Sequence, residues 1–312
     1  MQKQKTSMKS SLRQRNRVWT LMALGPTLYL LFFKYVPMIG IIIAFKEYRF
    51  DQGIFGSKWV GFYNFTTFLK SRELGLLFRN TIGYNLLIVY GSLIASTCVA
   101  LLLYELKSRF ATKIYQTVMI TPRFVSIIIV GYLTYSFLNP TSGIANRYIM
   151  KLGLDPVPWY SIKWIWPFIL PLVSIWKGIG MSSVIKYAAL MGVDPSLIEA
   201  AEIDGANKPQ KYLYVLVPCI FPALTVLLIL NLGGILDGDF GLFYYIPRNV
   251  GALRTVTEIF PTYTMRLFKG QDVGVNYSLS SAISLFQSVA GTIIIVSADR
   301  LIKLIDKDLG IF

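Results

Sequence analysis

Asp194-Pro195 and Gly205 bracket a stretch in which Glu199, Glu202 and Asp204 alternate with Leu197, Ile198, Ala200, Ala201 and Ile203. Asp194 is a carboxylate cap, and Pro195 follows where no amide hydrogen is needed, so a helix starts here. Gly205 stops it, because glycine takes the left-handed conformation cheaply. The expected product is a helix of about ten residues. Asn207 then caps a second helix, with Pro209 in its first turn, that runs through Tyr212 and Val215 to a kink at Pro218. Ala200 and Ala201 are small enough to let another surface come close. The chemistry this suits is recognition and leverage: whatever grips a rigid, small-faced acidic helix can move the segments on either side. Cap chemistry taken alone favours the blander reading, a helical loop lying against a membrane.

Bond-making chemistry has little to work with. The chain has no histidine, which removes His-based zinc sites, Ser-His-Asp triads and Cys-His dyads. It has no Gly-x-x-x-x-Gly-Lys-[Ser/Thr] phosphate loop, so energy from ATP has to come from another chain. Its two cysteines, Cys98 and Cys219, lie inside apolar stretches, and no disulfide is expected between them. No catalytic residue, metal site or cofactor site is expected on this chain.

The elements that must position such a lever are apolar. Of 312 residues, 54% are apolar and 15% charged, with a mean hydropathy of +0.54. A soluble domain carries about a quarter charged residues. The expected fold is an all-α polytopic membrane protein with about six transmembrane helices, at roughly 20 apolar residues per span. The spans are placed at about 18–45, 81–104, 114–137, 164–189, 212–236 and 276–298, in one transmembrane domain over 18–312. The acidic helix then sits in a loop, 190–211, between spans four and five.

Orientation follows from cations. Residues 1–17 hold Lys3, Lys5, Lys9, Arg13, Arg15 and Arg17 and no acid. By the positive-inside rule this tail is cytoplasmic. A signal peptide is the competing reading, and it fails because the apolar stretch from Val18 is too long and no small-residue cleavage site follows. Six spans put both termini inside, together with loops 105–113 and 190–211. Loops 46–74, 138–163 and 237–275 are then external. The formal charge of +15 reads as membrane orientation and attraction to anionic lipid headgroups, with no nucleic-acid partner. Aromatic residues in the external loops, Phe62, Tyr63, Phe65, Trp159 and Tyr160 among them, read as interfacial anchors, with a sugar-stacking platform as the alternative.

Charges inside the spans need a reason, since intramembrane charge is costly. Lys34 and Lys186 are read as snorkelling or capping residues. Arg123 and Lys177 lie deeper, and are candidates to line a polar cavity or to bond backbone freed by Pro122 and Pro171. Carboxylates are absent from 81–104, 114–146 and 212–236, and from span six before Asp299. A proton-coupled transporter uses a buried carboxylate relay, and none is evident here.

The lever segment also resembles a known signature, the EAA loop of binding-protein-dependent ABC importer permeases. The pattern is Glu199-Ala200-Ala201, then Gly205, then Val215-Leu216-Val217-Pro218, with Asp204 and Ala206 completing an Asp-Gly-Ala core common in the carbohydrate branch. Val215 and Val217 replace the more usual Ile and Leu. The stretches 33–40, 44–46, 58–61 with 64–65, 80–81 and 277–286 are similar, in order, to oligosaccharide and polysaccharide permeases of the maltose-type family. The resemblance implies an oligosaccharide or polysaccharide-derived sugar as cargo and a coupling role for Glu199, Ala200, Ala201, Asp204, Gly205, Ala206 and Pro218. It implies three protein partners, beside the membrane lipid that the charge already suggests: a cytoplasmic ATPase that binds ATP and Mg, a second related permease, and an external or periplasmic solute-binding protein. The alternatives are an ABC importer permease for a non-sugar solute, such as a peptide or anion, and a secondary transporter or membrane-embedded enzyme.

Overall fold

A computed structural model of the chain describes residues 18–271 and 274–305. The basic tail 1–17 and Lys307 lie outside the described residues. Among the described residues, five helices are long and apolar enough to cross a membrane, and a sharply bent pair makes a sixth if it is counted as one span. α1 is Val18–Phe45. Its second half is irregular, with a π segment at Leu31–Tyr35 and a 3-10 segment at Val36–Phe45 around Pro37. A two-stranded antiparallel hairpin follows, β1 (Lys46–Glu47) with β2 (Lys58–Trp59). Then come α2 (Tyr63–Leu69) and α3 (Glu73–Tyr104).

α3 starts eight residues earlier than the expected span at 81, because its first turns anchor another part of the chain. Asn80 Nδ2 donates to the Glu258 carbonyl (2.9 Å), Tyr84 Oη to the Val256 carbonyl (2.7 Å) and Arg79 Nη2 to the Thr255 carbonyl (2.7 Å). At 32 residues, α3 is about 48 Å long at 1.5 Å per residue, more than a bilayer core.

The expected third span, 114–137, is two helices. α4 (Arg109–Phe124) and α5 (Ile127–Leu138) meet at 95°. Pro122 removes an amide donor near the end of α4, and Val125 and Ser126 leave the helical conformation. α6 (Ile144–Lys151) lies in the next connection, and α7 (Trp166–Leu190) is span four, entered through a 3-10 turn from Lys163. α8 is Pro195–Ile203. α9 begins at Lys208–Lys211 and passes through a π turn, Tyr212–Leu216, into Val217–Gly233. It stops short of the expected end at 236, where the chain turns at Gly233-Gly234. The freed carbonyls find side chains: Asn85 Nδ2 donates to Ile235 O (2.7 Å) and Gln287 Nε2 to Leu236 O (2.8 Å).

Residues 237–271, within the stretch 237–275 expected as an external loop, form a packed helical cap. It holds α10 (Phe240–Tyr245) and α11 (Phe260–Lys269). Phe260, Tyr263 and Leu267 of α11 are buried with Phe68, Leu77, Leu236 and Ile283. The last helix, α12 (Tyr277–Ile305), is capped by Asn276, whose Oδ1 accepts from Leu279 N (2.9 Å).

Three buried clusters run along the bundle. One gathers Tyr84, Tyr160, Trp166, Leu170, Phe243 and Ile246. The second surrounds Phe260. The third, Ala100, Leu190, Leu216, Ile220 and Leu224, lies beneath the loop that carries α8. Tyr160, expected at the membrane interface, is a core residue, and Trp159 Nε1 donates to Asn146 Oδ1 (2.9 Å). Phe62 and Tyr63 are exposed.

Candidate coupling site

α8 is built as its cap residues dictate. Asp194 is extended and its carboxylate accepts from Ser196 N (3.0 Å), with Pro195 at the first helical position. That hydrogen bond holds the Asp194 carboxyl below the usual carboxylate range. At the other end Asp204 is the last capping residue and Gly205 has φ +80°. The Gly205 amide donates to Glu202 O (3.1 Å) and the Ala206 amide to Ala201 O (2.9 Å), the paired bonds of a Schellman stop. A Cβ on Gly205 would meet nothing within 4 Å. The glycine is required by backbone conformation, not by crowding.

One residue later Asn207 and Gln210 form a reciprocal capping box, with bonds of 3.0 and 2.8 Å. The reversal from α8 into α9 is therefore fixed by backbone and caps on both sides. The break expected at Pro218 takes another form. The missing amide and the bulk of the ring are absorbed by the π turn just before it, where Val217 N donates to Tyr212 O. Pro218 itself is exposed near the start of the helix that follows.

No residue of α8 is fully buried. Glu199, Ala200 and Asp204 are exposed, Ala201 and Ala206 half-buried. Ile203 is 86% exposed and Leu197 48%, so an apolar surface is presented together with the acids. Ile198 and Val193 face inward onto the third cluster. α8 thus rests on the bundle by one side and offers the other.

Two ion pairs tie the loop down. Lys211 pairs with Glu202 across the turn, and Lys208 Nζ reaches Glu105 at 2.6 Å, at the end of α3. Hydrogen bonds from Lys208 and Tyr212 hold the Glu105 carboxyl below its ordinary range. The Lys208–Glu105 link had a trace in the sequence, since Glu105 is the only acid in 105–113. Its partner was not legible, because it comes from a segment a hundred positions away. The contacts also fix relative placement: α8 lies at the Tyr104 end of α3, and the 235–271 cap at the Glu73 end.

The cations inside the spans have different fates. Lys177 Nζ donates to the carbonyls of Arg123 (3.0 Å) and Val125 (2.7 Å), the backbone released where α4 and α5 break. The Arg123 side chain is exposed. Lys34 is exposed in the π segment of α1. Lys186 does not snorkel. It is 3% exposed, and its Nζ donates to Leu93 O (3.2 Å) and to Ser96 Oγ, between α3 and α7. At the α4–α7 crossing, a Cβ on Gly180 would overlap the Met119 carbonyl.

Comparison with known proteins gives the site a context. The family model described as "Binding-protein-dependent transport system inner membrane component" matches residues 88–311. The chain is 36% identical to Protein LplB of Bacillus subtilis (strain 168) over 296 residues, covering 94% of this chain and 91% of that protein. It is 36% identical over 289 residues to the polygalacturonan/rhamnogalacturonan transport system permease protein YteP of the same strain, covering 91% and 87%. A chain of a bacterial alginate ABC transporter, crystallised in complex with alginate pentasaccharide-bound periplasmic protein, superposes with a TM-score of 0.83 at 29% identity, covering 94% of this chain and 96% of that one.

Proposed function

The chain belongs to the family of binding-protein-dependent transport system inner membrane components, and from that premise we propose that it is one permease subunit of an ABC importer for an oligosaccharide or polysaccharide-derived sugar, with α8 as its coupling helix. In this reading the Tyr104 end of α3, α8 and both termini are cytoplasmic. A separate ATPase binds ATP and Mg and grips α8 through Glu199, Ala200, Ala201 and the exposed Leu197 and Ile203. The Schellman turn at Gly205, with Asp204 and Ala206, keeps α8 and α9 at a fixed angle, so a displacement of α8 is passed to α7 and α9. A second related permease completes the pathway, and a solute-binding protein delivers the sugar to the 235–271 end.

The observation that carries the proposal is the mounting of α8. It is exposed on one side, seated on a buried cluster by Ile198, locked to α9 by paired caps and clamped to α3 by Lys208–Glu105. A loop lying passively against lipid has no need of this rigidity. The names and cargo of YteP and of the alginate transporter support the sugar assignment. The test is single-cysteine crosslinking from Ala200 or Ile203 to the ATPase in the assembled complex, with ATP-driven uptake measured in parallel. Crosslinks that form and shift with nucleotide are the expected result. Absence of any crosslink from a complex that still transports would overturn the coupling role.

A further inference from the structure

A cleft of about 340 Å³ opens between α5 and the end of α10 with the residues that follow it. Its walls are Tyr132 on one side and Tyr244, Tyr245, Arg248 and Asn249 on the other, with Gly131 at the floor. A Cβ on Gly131 would come within 3.0 Å of the Tyr245 carbonyl, so the glycine lets the two elements meet. The volume falls within the range of small-ligand pockets, roughly 300–1,000 Å³.

The walls are held rigidly. Arg248 and Asn249 are consecutive non-glycine residues with φ of +57° and +52°, a conformation that persists only where the surroundings fix it. The Arg248 guanidinium lies 3.8 Å from the centre of the Tyr135 ring. Tyr135 packs on Tyr160 and Tyr160 on the buried Trp166. Asn249 Nδ2 donates to Gln271 Oε1 (3.1 Å). Tyr244 stacks on Phe240 with centroids 5.0 Å apart.

The charge is one-sided. Among the described residues, no aspartate or glutamate lines the cleft and no carboxylate pairs with Arg248. Lys269 adds a second cation at the rim, 5.1 Å from the centre of the Tyr244 ring. An aromatic wall suits the flat face of a sugar ring, but a neutral sugar has no use for the guanidinium beside it. A carboxylate does, because the planar fork binds it bidentately. The cleft also lies at the end of the molecule opposite α8, since Phe243 of α10 packs edge-on against Tyr84 of α3 at 4.8 Å.

We propose that this cleft is a saccharide subsite selecting a carboxylate-bearing sugar unit, with Arg248 binding the carboxylate and the tyrosines binding the ring. The proposal rests on the importer reading above and deepens it. The test uses the assembled importer in nanodiscs of zwitterionic lipid, titrated calorimetrically with trigalacturonate and with maltotriose as its uncharged counterpart. The parent should bind trigalacturonate at least about tenfold more tightly. Arg248→Gln should lose roughly ten- to a hundredfold of that affinity, and Arg248→Lys should keep part of it. If Arg248→Gln fails to assemble, Tyr132→Ala carries the test, because Tyr132 is 66% exposed and its removal should weaken both sugars. Parent-like trigalacturonate binding in either variant overturns the subsite. Equal binding of the two sugars by the parent removes the acidic selectivity and leaves the importer reading standing. Failure to bind either sugar, together with no ATP-driven uptake, overturns both.

Discussion

Gly205 is where the least chemical change should have the largest mechanical effect. Its φ of +80° is left-handed, and the space around it is open. Alanine there costs about 1–2 kcal/mol in backbone strain, while asparagine, which tolerates that region, costs less. Gly205→Ala should therefore lower ATP-driven uptake with membrane levels unchanged, and Gly205→Asn should lower it less; equal uptake in all three proteins would refute the rigid-turn argument. Lys186 poses the opposite case. It is buried with only neutral partners, and an ion in such a setting is weak evidence for stability. Lys186→Met, similar in length, should melt no lower than the parent in detergent, so a loss of transport in that variant would report function and not folding. At this scale the sequence was most informative where backbone chemistry is local. The Asp194 cap, the Gly205 stop and the Asn207 cap follow from residue type alone. The burial of Lys186 does not, because whether a lysine can reach the interface depends on which helix packs beside it.

Among the elements, the broken third span is the point where the apolar pattern misled. A run without acids from 114 to 137 reads as one helix, and Pro122 alone does not say whether a helix bends a little or stops. The decision is tertiary: Lys177, projecting from α7, supplies the donors that the freed carbonyls require. Non-helical backbone at membrane depth is tolerated only with such satisfaction. Lys177→Met should cost about 1–3 kcal/mol, read as a lower melting temperature and as faster modification of a cysteine placed at Ser126. The α4–α7 crossing has little room. Gly180→Ala would place its methyl on the Met119 carbonyl, and a cost of about 1–3 kcal/mol or more is expected from overpacking. The cap at 235–271 tells the same story. Its sequence looks like a loop because it is not apolar throughout, yet Asn80, Tyr84, Asn85 and Gln287 give its carbonyls partners across the fold.

At the scale of the whole molecule, α3 sets two poles. Its Glu73 end holds the cap and the proposed subsite, and its Tyr104 end holds α8 through Glu105 and Lys208. That clamp has a pH signature. The Glu105 carboxyl is held below its ordinary value of 4.5 by hydrogen bonds from Lys208 and Tyr212. A depressed acid stabilises the fold fully above its unfolded pKa, and the contribution is lost as pH falls through the folded value. The clamp is therefore intact at neutral pH and fails only in acid below about that value. Glu105→Gln should flatten part of the fall in melting temperature over the acid range and leave its slope near pH 7 unchanged. Salt should weaken the same contact, since Lys208 is 68% exposed. The two poles also give a test of sidedness. With Cys98 and Cys219 replaced, a cysteine at Ile203 and one at Phe50 should react with an impermeant thiol reagent from opposite faces of the membrane.

The sequence by itself determined the class of molecule and the caps that start and stop α8 and open α9. Hydropathy over twenty residues and cap chemistry over four are both read within one stretch of chain, so no other part of the fold is needed to see them. Tertiary structure alone decided where the third span breaks, which lysine is buried, how the last inter-spanning segment folds back as a cap, and that Tyr132, Tyr244 and Arg248 share one cleft. Each of those depends on a hydrogen-bond donor or a surface supplied by a residue far away in sequence, and the energy of such a pairing leaves no mark on either segment alone.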